Sequence, residues 1–148
     1  MIDVKDLMCG NWIYLSDPEE RENTRELHYI DEVCRDCIRV EDFGDFFDDT
    51  YLEPIPVTKE ILKAIGFEAY EDLPLEGIFY RYWDKDYKYK LDVRDFWTNS
   101  RRKWYVHIDN DVCNTIGSGE FDYVHELQNL VRCISGHSLP IAKEMLYE

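Results

Sequence analysis

The chain has 148 residues, 45% of them hydrophobic and 15% aromatic, and a formal charge of −15 at pH 7. So much aromatic side chain excludes a disordered chain and supplies a core for one domain. The charge disfavours direct binding to nucleic acid, whose affinity comes from neutralised phosphates, and to anionic membrane surfaces; it favours solubility and basic partner surfaces.

The charge is uneven. Residues 1–60 carry 17 acids against 6 bases, a net of −11, and residues 61–148 carry 15 against 11, a net of −4. The expected organisation is a single domain, 1–148, with sublobes of about 1–53 (mainly β, acidic) and 54–148. The opening MIDVKDLMCG has no positive flank and no long apolar run, so it does not read as a signal peptide. No window approaches the roughly 18 apolar residues of a membrane span. Five cysteines, an odd number, fit a reducing cytoplasm, which is the expected location.

In chain order, strands dominate the first third. NWIYL (11–15) is a short apolar run after the turn residue Gly10, and 16–24 is a polar loop. Residues 25–42 read as a hairpin around Arg35-Asp36, because Ile38 and Val40 alternate with Arg39 and Glu41. These strands predict a small curled antiparallel sheet, SH3-like at best. Pro54 and Pro56 then hold an extended lead-in. A short helix over 58–66 follows, capped by Thr58, ended by Gly66 and apolar along Ile61, Leu62 and Ile65.

An antiparallel β-meander is expected over about 78–116. Its clearest part is YKYKLDVRD, where Tyr87, Tyr89, Leu91 and Val93 alternate with Lys88, Lys90, Asp92 and Arg94. TNSRRK (98–103) reads as a turn, and WYVHI (104–108) as the next strand, with Trp104, Val106 and Ile108 on one face. Asp109-Asn110 reads as the following turn. A C-terminal helix over 120–135 is predicted to cover the meander. Phe121, Val124, Leu127, Leu130 or Val131, and Ile134 recur every three or four residues, leaving His125, Glu126, Asn129 and Arg132 off the stripe. The fold class is therefore α+β.

Three segments resemble a known group. DLMCGNWIYL (6–15), EPIPVTKEILKAIGF (53–67) and YVHELQNLVRCISG (123–136) are similar to small hypothetical proteins common in gut Bacteroidetes, their prophages and mobile elements. Members pair a DLM-x-G-x-W opening with a PIPLTPEIL-x-x-x-GF middle and a YVH-x-LQ helix. The resemblance spans most of the chain in the same order. This chain departs in Lys59, where proline is usual, and in its acid-rich stretch 41–53. The resemblance implies a mobile-element origin. It carries over no catalytic residue, because no activity is attached to the group.

The candidate sites are few. His125-Glu126 evokes a zinc-protease helix, but such a helix needs a second histidine four residues on, and Asn129 stands there. The preferred reading is a surface or cap-contacting histidine. Cys34-Arg-Asp-Cys37 is one C-x-x-C pair, whereas a structural zinc site wants four ligands; Cys9 and His28 would have to come from elsewhere. The pair reads first as packing across a hairpin turn, with metal or redox chemistry as alternatives. EDFGDFFDDTYLE (41–53) carries six acids and no base among aromatics. It does not match a calcium loop. It fits a docking surface for a basic protein, with Asp42, Phe43, Asp45, Phe46, Asp48, Asp49 and Glu53 as the residues involved. The alternative is a solvated loop whose aromatics fold back. Lys88, Lys90, Arg94 and Arg101-Arg102-Lys103 are the one basic concentration; they could bind an acidic ligand or meet the acidic lobe of a second copy in a homo-oligomer, the alternative being a solvated strand face. No nucleophile elbow, phosphate loop or dinucleotide fingerprint is present, and no cofactor is expected.

The preferred function is a non-enzymatic interaction protein docking on a basic partner. The alternatives are an enzyme of unfamiliar design using His107, His125 or the cysteine pair, and a structural protein without ligand.

Overall fold

In the computed structural model, residues 2–20, 25–41, 44–72, 77–98, 101–110 and 115–146 are described, the side chains of 71, 72, 77, 96–98, 101 and 102 excepted. The chain forms two compact units, Met1–Pro56 with Tyr123–Asn129, and Val57–Asp122 with Leu130–Glu148. The fold is α+β, with one antiparallel sheet in each unit.

The first unit holds a curled half-barrel sheet of order β4-β3-β2-β1-β5. Its strands are β1 (Trp12–Leu15), β2 (Glu26–Val33), β3 (Ile38–Val40), β4 (Phe46–Phe47) and β5 (Leu52–Glu53). β1 pairs with β2 on one side and with β5 on the other, so Leu15 stands opposite both Glu26 and Leu52. Ile13, Leu15, Ile30, Ile38, Val40 and Leu52 turn inward and form most of the core. The β2–β3 hairpin turns at Arg35-Asp36, as its alternation predicts, with Val33 opposite Ile38. At the far end of this unit, Val124 N–H donates to Ile55 O at 2.8 Å, and Pro56 bridges Tyr123.

The second unit begins with helix α1 (Lys59–Ile65). Thr58 Oγ1 accepts the Ile61 N–H at 3.2 Å, satisfying one of the helix's orphan donors. Gly66 ends the helix at φ +123°, a conformation that a residue with Cβ rarely adopts. Ile61, Leu62 and Ile65 are buried, as the spacing predicts.

The meander has order β10-β9-β8-β7-β6, every strand beside its sequence neighbour. It is longer than 78–116: β6 is Glu68–Asp72, β7 Gly77–Asp84, β8 Tyr89–Thr98, β9 Arg101–Asn110 and β10 Thr115–Phe121. Leu91, Val93, Val106 and Ile108 are buried on one face while His107 is exposed on the other, as expected. Tyr87 departs from its predicted face. It lies in the β7–β8 turn, where Asp84 Oδ1 accepts the N–H of both Asp86 and Tyr87 at 3.0 Å. The turn expected at 98–103 is shorter, because Thr98 pairs with Arg101 and the basic triplet is strand. Asp109 and Asn110 likewise end β9, and the segment after them, 111–114, lies outside the described residues.

Helix α2 is Val124–Ser135. It starts later than the predicted 120, because Glu120 and Phe121 complete β10 opposite Tyr105 and Trp104. Its second half lies against β10. A Cβ on Gly119 would stand 2.7 Å from Leu130 Cδ2, and one on Gly117 would stand closer still to Ile134. The glycines of GSGE are therefore packing positions in a strand. Among the described residues, no helix is long and apolar enough to cross a membrane.

Candidate partner-docking surface

Residues 44–53 run from one edge strand of the first sheet to the other. β4 pairs with β3, placing Phe47 opposite Ile38 and Phe46 opposite Arg39. Strand alternation then separates the two rings. Phe47 turns in against the core and meets Tyr51 edge to face at 5.7 Å. Phe46 turns out and keeps 51% of its surface exposed, and Tyr51 keeps 39%. Asp48 shapes the next turn: its Oδ1 accepts the Thr50 N–H at 3.0 Å, opening a 3-10 turn over Asp49–Tyr51. Leu52 is buried and anchors β5.

The candidate residues sort accordingly. Asp45, Phe46 and Asp48 are exposed, and Asp49 is half-buried. None of these three acids is paired with a cation among the described residues, so their charges reach solvent unneutralised. Glu53 is committed elsewhere: it accepts from Arg25 Nε at 2.8 Å, and that guanidinium lies 5.0 Å over the Tyr14 ring. Asp42 and Phe43 lie outside the described residues. Tyr51 was visible in sequence as one of the interleaved aromatics, but only the structure shows it exposed against Phe47.

The cysteine pair closes the β2–β3 hairpin, and Cys34 N–H donates to Cys37 O at 2.8 Å. Burial pushes the Cys34 thiol up, helped by its hydrogen bond to Cys37 and by the negative charge of Glu32. Of the extra metal ligands considered, His28 is held by acids of its own unit. His28 Nε2 lies 3.0 Å from Glu26 Oε2 and its Nδ1 lies 3.4 Å from Glu41 Oε1. Among the described residues, no group of three or more His, Cys, Asp or Glu side chains is placed to hold a metal ion.

His125 corrects the surface half of the expectation of a surface or cap-contacting histidine. Its ring is only 4% exposed and stacks on Tyr123 at 5.9 Å, and its Nδ1 is buried without a hydrogen-bond partner. Burial lowers its pKa, with Glu126 and Asp6 pulling the other way. The ring is inside because the polar side of the helix is itself a contact. Asn129 Nδ2 donates to Asp6 O at 2.8 Å, and Asn129 Oδ1 accepts from Asn11 Nδ2 at 2.8 Å. Gln128 accepts the Trp12 N–H at 2.9 Å and donates to Gly10 O at 3.1 Å. The DLM-x-G-x-W and YVH-x-LQ segments thus meet in one clasp within the first unit, so their residues have a structural job.

In the second unit several basic residues meet acids or rings of their own sheet, while the side chains of Arg101 and Arg102 lie outside the described residues. Lys90 Nζ lies 3.3 Å from Asp109 and 3.8 Å from Asp92, and Lys103 lies 3.7 Å from Glu120. Arg81 forks onto Asp92 at 2.7 and 3.1 Å, and both Arg81 and Arg94 lie over the Phe79 ring. Cross-strand register brings these opposite charges together. Two clefts of ≈ 470 Å³ lie in this unit, one lined by Thr58, Tyr80, Asp95 and Trp104, the other by the β7–β8 turn, Ser138 and Pro140. Among the described residues, neither is lined by a histidine or a cysteine. No protein-family model, curated protein or solved structure matches this chain.

Proposed function

We propose that this chain is a non-enzymatic docking protein that binds a basic protein surface through the acidic, aromatic edge of its first sheet. Phe46 carries the reading: half of its surface lies in water, beside acids that no described cation neutralises. In such an arrangement, burial of the ring supplies affinity and the charges steer the encounter. Asp45, Asp48 and Asp49 supply the field, and Phe46 and Tyr51 the anchors. Asp42 and Phe43 belong to the same run of sequence. Glu53 is tied to Arg25 on β5, the other edge of the sheet.

The protein acts in the cytoplasm on this reading. Its resemblance to phage and mobile-element proteins makes a host nucleic-acid-binding or defence protein the favoured partner class, met by inhibition. A second copy is a poorer occupant, because Lys90 and Lys103 already have acidic neighbours in their own sheet. The enzyme reading has less support: His125 is buried with its Nδ1 unpartnered, and His107 sits on an open sheet face.

Fluorescence anisotropy with a labelled Lys/Arg-rich peptide tests the proposal. The expected result is binding that weakens as salt rises and falls by about tenfold or more on Phe46→Ala, with an unchanged melting temperature. No binding at low salt, or an affinity indifferent to Phe46→Ala, overturns it.

A further inference from the structure

We propose that Cys34 and Cys37 form a reversible thiol–disulfide switch at the tip of the β2–β3 hairpin, oxidised by exchange with a low-molecular-weight disulfide. The proposal is independent of the docking surface. The register that sets Val33 opposite Ile38 sets Cys34 opposite Cys37, and the 2.8 Å bond from Cys34 N to Cys37 O fixes that pairing. Directly opposed strand residues have Cβ atoms about 4.5–5.5 Å apart. A disulfide needs about 3.5–4.5 Å, so closure takes a small movement of a two-residue turn. Arg35 and Asp36 in that turn are exposed, and both thiols are half-exposed and unoxidised, so an oxidant reaches them.

The Cys34 thiol donates toward Glu32 Oε1 at 3.9 Å, and burial with its neighbours raises its pKa. One of the two cysteines attacks first. Its thiolate displaces one thiolate from the disulfide oxidant and forms a mixed disulfide. The other cysteine then gives up its proton to solvent and attacks that protein sulfur, displacing the second thiolate. Two protein thiols become one disulfide, and the oxidant is reduced to two thiols. The pair lies at the tip of a hairpin and not at the start of a helix, unlike the strand-to-helix C-x-x-C motif, so it suits a switch better than a dedicated oxidoreductase. An exposed disulfide in so short a loop is readily reduced again.

Peptide mapping of the whole protein in graded glutathione buffers tests this, after remaining thiols are blocked. Trypsin cuts after Arg25, Arg35 and Arg39, so a disulfide would link fragment 26–35 to fragment 36–39. The expected result is a linked pair that appears as the buffer becomes oxidising and is lost on reduction. In Cys34→Ser and in Cys37→Ser the remaining thiol should give no linked pair at any ratio. Fragments that stay unlinked in the parent protein at every ratio overturn the switch.

Discussion

At the scale of single residues, His125 shows how a helix can hide a polar side chain. Its spacing leaves it off the apolar stripe, so a surface position was the natural expectation. The signal that corrects it lies three and four residues on: Gln128 and Asn129 are amide side chains that bond backbone and side chain of the 6–12 segment. No pattern within one helix reveals a polar face that is also a contact face. Asn11 is buried, so Asn129→Ala strands its amide and should destabilise the protein by about 1–3 kcal/mol, read as a lower urea midpoint. The imidazole gives a pH prediction. Its folded pKa lies below the ordinary histidine value of about 6.5, so the unfolded chain binds the proton more readily. Stability is then complete above that value and is lost as pH falls from it toward the depressed folded pKa. Thermal melts between neutral and mildly acidic pH should show a decline that His125→Phe flattens; an unchanged slope would remove the burial account.

Among the elements, those whose own residues carry the pattern were legible. Helix α1 has its cap at Thr58, its stop at Gly66 and one apolar face, and it forms one residue inside the predicted limits at each end. The strand over 89–93 follows from strict alternation. β10 was hidden because its glycines look like a loop, and their reason is the close approach of Leu130 and Ile134, which no local reading contains. Gly119→Ala should therefore force Leu130 aside and cost about 1–3 kcal/mol, measured by chemical denaturation; a neutral result would mean that the helix does not sit so close. β6 carries acids and a lone tyrosine at an edge, a composition that gives little periodicity to find. The acidic stretch was legible as a candidate surface, but which of its rings point out depends on β4 pairing with β3.

For the whole molecule, the charge of −15 and its concentration in the first 60 residues were plain in the sequence, and they motivate the proposed class of partner. The pairing of bases with acids across the second sheet was not plain, because register decides it. It predicts a monomer in sedimentation at both low and high salt; a dimer lost on adding salt would point to the acidic edge of one copy meeting the basic residues of another. The central claim is that unneutralised acids around Phe46 guide a basic partner. Charge reversal tests it most directly, by comparing Asp45→Lys/Asp49→Lys with the parent protein for binding to one Lys/Arg-rich peptide across a salt series. The account predicts an affinity lower by about tenfold or more at low salt, a gap that closes at high salt, and an unchanged melting temperature. Equal affinity of the two proteins at low salt would contradict it.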